Sequence, residues 1–225
     1  MCVRRDMMEQ SKFWILPDDI AVESLSHCDK RLAKVIEKIG PIECSYHLDA
    51  FSFIVEEIVG QMLSNKVADV ISQRLYDKCG GAITPESIER LSISDLRGIG
   101  LSNAKSGYIL SFAASVKNEE IDLNQLKLQS DAEVMKKLMK LRGIGSWTSK
   151  MFLLFVLNRP DILPYEDGAF QQAFAWLYEY DEKPTKSIIE TQCQIWHPYA
   201  STAARYLYRA LDMGLTKTDI KSFLR

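Results

Sequence analysis

Apolar and polar positions recur along most of this chain with the period of an α-helix. In residues 49–61, Phe53, Ile54 and Ile58 fall among Glu56 and Glu57 in a mixed amphipathic pattern. After a break at 62–64 the pattern resumes over 65–79, where Val67, Val70, Ile71 and Leu75 keep helical spacing, and Gly80-Gly81 ends it. Thr84 followed by Pro85 is a cap-then-proline start for a short helix. Further helices are predicted over 102–115, 131–141, 146–157 and 169–179, with a loop at 161–164. A last helix runs over 200–213 and stops near Gly214. Strand signals are nearly absent. Residues 13–20 read as a short extended piece that Pro17 and Asp18-Asp19 cut off. The pattern predicts an all-α fold without linkers or low-complexity segments.

One echo interrupts the helices. Leu96-Arg97-Gly98-Ile99-Gly100 returns as Leu141-Arg142-Gly143-Ile144-Gly145, and an apolar helix follows each copy. Two copies do not make a solenoid, so two helix-hairpin turns on a common pattern are expected. In the second copy, Gly143 suits a helix end with positive φ, and Gly145 lets the backbone turn and approach another group. The next helix then starts near Ser146 with its first amides unpaired, which favours an anion such as a DNA phosphate. Lys136, Lys137, Lys140, Arg142 and Lys150 crowd this turn. The same features also suit a plain αα turn beside a solvated basic face.

Composition narrows the classes. A chain of 225 residues with 47% hydrophobic and 26% charged residues can bury a proper core. No run approaches the roughly 18 apolar residues of a membrane span, and the N-terminus lacks the apolar stretch of a secretory signal. A cytoplasmic or nuclear location is expected, with no membrane partner. The five cysteines, at 2, 28, 44, 79 and 193, form no Cys-x-x-Cys pair and read as mostly buried, reduced thiols. His27, His47 and His197 show no metal-ligand spacing. A net charge of −2 argues against a protein that coats nucleic acid, but not against a local basic patch.

The stretch 141–178 carries a more specific likeness. The Gly-Ile-Gly hairpin with Trp147-Thr148, the apolar helix, Arg159-Pro160-Asp161, and the Pro-x-x-Asp of Pro164 and Asp167 resemble the helix-hairpin-helix (HhH-GPD) DNA glycosylase superfamily. Upstream, Gly60-Gln61-Met62-Leu63-Ser64 with Ala68 and Arg74-Leu75, and Gly100-Leu101-Ser102 with Lys105, resemble further segments of that family. Trp196-x-Pro198 resembles the C-terminal motif of its 3-methyladenine DNA glycosylase II branch. The likeness covers residues 45–210. It implies two helical subdomains: a six-helix barrel over 48–164 carrying the hairpin, and a second made of 1–47 with 165–225. The active-site cleft would lie between them. The separate N-terminal β domain of some members is expected to be absent.

The resemblance also implies roles. Asp167 would be the catalytic carboxylate, stabilising the positive charge that builds on the sugar as the C1′–N bond breaks. The Asp-Gly step is equally a natural turn and helix cap. Trp147 stands where lyase members of the superfamily carry a Schiff-base lysine, so a monofunctional enzyme without a lyase step is implied. Trp147, Tyr199, Trp196 and Met151 would line a pocket for a flipped, electron-poor base. A core position is the other reading of Trp147. Met62, with Gln61 and Leu63 as neighbours, would be the wedge that fills the vacated stack, unless these belong to the core. Gly143, Ile144, Gly145, Ser146, Thr148, Lys140 and Arg142 would bind phosphate. The carbonyls of Leu141 and Ile144 would suit a monovalent cation such as Na⁺ or K⁺. Otherwise no cofactor is implied, and Cys193 alone in the last quarter excludes the family's four-cysteine Fe–S cluster. Ala200 follows Tyr199 where that branch commonly has arginine, so the lesion stays open.

The expected activity is excision of alkylated bases from damaged double-stranded DNA by a monomer, leaving an abasic site. Three other readings remain at this point. One is a glycosylase for deaminated or oxidised bases, and another is a non-catalytic hairpin DNA-binding protein. The third is an unrelated helical interaction protein, which the net charge favours.

Overall fold

The computed structural model describes residues 10–221; residues 1–9, with Cys2, and 222–225 lie outside that range. The chain runs β1 (Gln10–Ile15), α1 (Ile20–Cys28), α2 (Lys30–Ile39), β2 (Ile42–His47), α3 (Ala50–Gly60) and α4 (Asn65–Lys78). It continues through α5 (Pro85–Glu89), α6 (Ile93–Gly98), α7 (Asn103–Lys117), α8 (Asp131–Leu138) and α9 (Ser146–Phe155). It closes with α10 (Gly168–Tyr178), α11 (Lys186–Gln192) and α12 (Ala200–Asp212). The expected all-α class holds, with one two-stranded sheet, β1–β2, added to it. β1 ends at Ile15, before a turn in which Asp19 Oδ2 accepts the Leu16 N–H at 2.8 Å. β2, Ile-Glu-Cys-Ser-Tyr-His, buries only Ile42 and so shows no apolar alternation to read. Among the described residues no helix is long and apolar enough to cross a membrane, and no cluster of His, Cys, Asp or Glu is placed to hold a metal.

Two compact units divide the chain. His47–Leu157 forms the body of one; Ser11–Tyr46 and the segment from Asn158 onward form the other. In the first unit α3 is central. Phe51 to Glu56, Ile58 and Val59 are all buried, so the helix read from a mixed amphipathic pattern is largely covered, its Ser52 and Glu56 included. Phe51 stacks on Phe112 of α7 at 5.0 Å, and α9 buries every residue from Thr148 to Phe155. The described part of this unit holds seven helices, α3 to α9, rather than six. The extra one is α6, too short to show apolar periodicity, and marked only by its Ser92–Asp95 capping box.

In the second unit α12 buries Ala200, Ala203, Ala204, Leu207 and Ala210, and α10 buries Phe170, Phe174 and Leu177. α1 and α2, which the apolar pattern above does not predict, pack on this core through Val22, Leu25, Leu32, Val35 and Ile36. Asp29 joins them. Its backbone N–H ends α1 on Leu25 O, and its Oδ1 caps α2 by accepting the Arg31 and Leu32 N–H groups at 3.0 Å. Its Oδ2 accepts from Trp196 Nε1 at 2.8 Å and from the Tyr178 hydroxyl. Burial, and then the negative charge of Asp29, push the Tyr178 hydroxyl above its ordinary pKa and keep it a donor. Asp29→Asn would turn an amide N–H₂ toward either the cap amides or the Trp196 N–H, setting donor against donor. The expected result is a loss of about 2 kcal/mol, read by urea denaturation of the two proteins.

The thiols are less buried than anticipated. Of the described cysteines, all free, only Cys193 is buried, while Cys28 is exposed and Cys44 and Cys79 are half-buried.

Candidate active site

Asp167 lies where the loop after α9 turns into α10. Its Oδ1 accepts the Phe170 N–H at 2.9 Å and so caps α10, while its own N–H donates to Pro164 O at 2.9 Å. The residue is 9% exposed. The capping role is therefore present, and it fixes a carboxylate at the positive end of a helix dipole. The loop leading to it is pinned to the start of α12. Ser201 Oγ donates to Arg159 O at 2.6 Å and accepts the Ile162 N–H at 2.9 Å. Asp161 pairs with His197 Nδ1 at 2.7 Å and accepts the Ala200 N–H at 3.2 Å. Tyr199, the residue before α12, makes no cap of its own, so Asp161 supplies one from the loop. These bonds explain why the unit boundary falls at 157/158 rather than the expected 164/165.

The expected base-pocket residues separate. Tyr199 is half-exposed in the same unit as Asp167. Trp196 is fully buried, its indole N–H is used by Asp29, and it packs among Phe170, Phe174 and Tyr178. It is a core residue and does not line a pocket. Trp147 is half-buried in the first turn of α9, in the other unit. Met151, one turn further on, is only 2% exposed and belongs to that unit's core.

The expected wedge residues differ from one another just as clearly. Met62 is fully exposed and has φ +59°, and Leu63 is exposed as well, though less so. Gln61 points inward, and its Nε2 donates to the Gly143 carbonyl at 2.8 Å, so it ties the turn to the hairpin and is no wedge.

At the hairpin, Gly143 has φ +85°, and a Cβ there would lie 2.4 Å from the Tyr108 ring. Gly145 precedes α9 with φ −102° and no side-chain cap, and a Cβ on it would meet nothing within 4 Å. Lys140, Arg142 and Gly145 are exposed and Ser146 is half-exposed. The side chains of Ile144 and Thr148 are buried, so only their backbone can serve a phosphate. The sequence echo does not extend to geometry. In the first copy Gly98 is still helical and the positive φ, +111°, falls on Gly100. Ser102 then caps α7 with its own hydroxyl, so only the second copy presents a helix start without a side-chain cap.

Comparison with known proteins decides the family. The model of the HhH-GPD superfamily base excision DNA repair proteins matches residues 55–198. The chain belongs to this superfamily. Among solved structures, the DNA-3-methyladenine glycosidase of Bacillus halodurans superposes with a TM-score of 0.83 at 31% identity, covering 94% of this chain and 99% of that one. The Schizosaccharomyces pombe 3-methyladenine DNA glycosylase Mag1, in complex with abasic DNA, superposes with a TM-score of 0.77 at 25% identity over 86% and 97% of the two chains. DNA-3-methyladenine glycosylase 1 of the same yeast is 27% identical over 199 residues, 87% of each chain.

Two residues of this HhH-GPD chain are poorly marked in its sequence. Lys105 reads only as part of a family-like segment, yet its Nζ donates to Val59 O at 2.8 Å and Gln61 O at 2.5 Å. Tyr108, three residues on, packs beneath Gly143. The i, i+3 spacing of these two residues on α7 was the available signal.

Proposed function

We propose that this chain is a monofunctional DNA glycosylase that removes alkylated bases of the 3-methyladenine type from double-stranded DNA and leaves an abasic site. The observation that carries the reading is Asp167, a nearly buried carboxylate held in place by α10. Alkylation leaves a purine with positive charge, so the base departs as a neutral group once the C1′–N bond breaks. The bonding pair goes to the base nitrogen, and positive charge develops on the sugar, where Asp167 stabilises it. Water then forms the new O–C1′ bond and gives up its proton to Asp167 or to solvent.

Trp147 supports the absence of a lyase step, since an indole forms no Schiff base. Its half-exposed ring offers an aromatic face to a cationic base. Phosphates would be held by the backbone at 143–146 and by Lys140 and Arg142, without reading sequence. The chemistry needs no cofactor. A monovalent cation fits the hairpin as a structural element: Leu141 O already accepts the Ile144 N–H at 3.2 Å, but each carbonyl keeps a second lone pair. The protein acts as a monomer.

The deciding experiment is base release from methylated duplex DNA, with strands analysed before and after hot alkali. Release of 3-methyladenine or 7-methylguanine, with strand breaks only after alkali, is the expected result. Strand breaks without alkali would overturn the monofunctional reading. Release of only deaminated or oxidised bases from matching substrates would move the lesion class.

A further inference from the structure

Met62 has no evident role in the fold. It is fully exposed, and its φ of +59° is one that residues other than glycine rarely adopt. Gln61 leaves α3 with φ −51° and ψ 129°, and the Leu63 N–H returns to Gly60 O at 3.2 Å. These are features of a type II turn, with methionine where glycine is favoured. A strained backbone that presents an apolar side chain to solvent persists only where its surroundings fix it.

The surroundings do fix it. Lys105 Nζ grips the carbonyls of Val59 and Gln61, so its charge also meets the negative end of the α3 dipole. The Gln61 side chain reaches the Gly143 carbonyl at 2.8 Å. One turn along α7, Tyr108 lies against Gly143 from beneath. A single helix thus supports both the Met62 turn and the hairpin. An inserted wedge is pushed back by base stacking, and a turn free to move would have to be ordered on binding at a cost in affinity.

We propose that Lys105 and Gln61 are positioning residues for base flipping, forming a clamp that braces Met62 against the duplex and fixes its place relative to the hairpin. This rests on the glycosylase reading above.

The test uses Lys105→Met, Lys105→Arg, Gln61→Met and Met62→Ala in the full chain, with two readouts. The first is the fluorescence of 2-aminopurine beside an alkylated or abasic position in duplex DNA, which reports unstacking without chemistry. The second is single-turnover base release from a paired duplex, and from the same lesion in a bulge where no stack must be opened. Wild type is expected to brighten the probe. Lys105→Met and Met62→Ala should brighten it little, and release from the paired duplex should fall roughly 10-fold or more, the size of one charge-assisted hydrogen bond. Release from the bulge should stay near wild type for Lys105→Met, and Lys105→Arg should recover duplex release.

Equal slowing of Lys105→Met on both substrates, or no slowing on either, overturns the clamp. So does a wild type that leaves the probe dark. If Lys105→Met does not fold, Gln61→Met, which keeps the Lys105 contacts to the backbone, takes its place: slowing on the duplex alone supports the clamp, and equal slowing or none overturns it. A wild type that brightens the probe but releases no methylated base would overturn the glycosylase reading alone. The clamp would then be judged by the loss of fluorescence in the variants.

Discussion

Replacing Asp167 by Asn is expected to lower the rate of base release from methylated duplex DNA by about 100- to 1000-fold, the usual effect of removing one preorganised electrostatic contact to a transition state. The substitution suits this site because asparagine caps helices as well as aspartate does. The bond from the Phe170 N–H to the side-chain oxygen survives, as does the backbone bond to Pro164. Thermal melting should therefore move little. DNA binding should persist, because the hairpin is untouched. Asp167→Ala separates the two roles from the other side: it loses the charge and the cap together, and should cost about 1 kcal/mol of stability in addition. An Asn variant that keeps wild-type release would reduce Asp167 to a cap, and Glu166 or Asp161 would have to be tested in its place. Asp161 is the weaker candidate, since its carboxylate already pairs with His197 and caps α12.

How much of this was legible depended on how local each signal was. The long helices, the Thr84-Pro85 start and the stop near Gly214 follow from periodicity and capping, and the structure has them close to the expected positions. α2 was equally legible and was missed. Leu32, Val35 and Ile36 keep helical spacing, Asp29 caps the start and Gly40 ends it at φ +70°. β2 was not legible, because its one buried side chain leaves no alternation. The hairpin and Asp167 carry short local motifs that can be read in the sequence itself. What the motifs do not carry is direction. Gln61 and Met62 are neighbours in sequence, yet one turns inward to Gly143 and the other out to solvent. Trp196 looks like a pocket aromatic until Asp29, 167 residues away, is found holding its N–H. Such bonds between distant positions leave no pattern in a single sequence.

Gly143→Ala should be the most damaging change at the hairpin. At φ +85° any side chain is strained, costing about 1–2 kcal/mol. The new methyl would also fall 2.4 Å, 2.5 Å and 2.8 Å from Cδ2, Cγ and Cβ of Tyr108. Overpacking of this kind adds about 1–3 kcal/mol. Truncating Tyr108 to alanine would not relieve it, because the 2.8 Å contact is to Cβ itself; only Tyr108→Gly would. A hairpin pushed off its support also disturbs the carbonyl that Gln61 holds. The expected result is a lower melting temperature together with weaker DNA binding and a shallower dependence of Kd on salt. Gly145→Ala is the contrast. Its backbone conformation is open to alanine and a methyl there meets nothing within 4 Å. Stability should stay within about 0.5 kcal/mol. If Gly145→Ala nevertheless weakens DNA binding, the lost space is space that a phosphate uses, because nothing inside the protein needs it. If it binds as wild type does, the phosphate site is elsewhere, and the hairpin serves the fold through Gly143 alone.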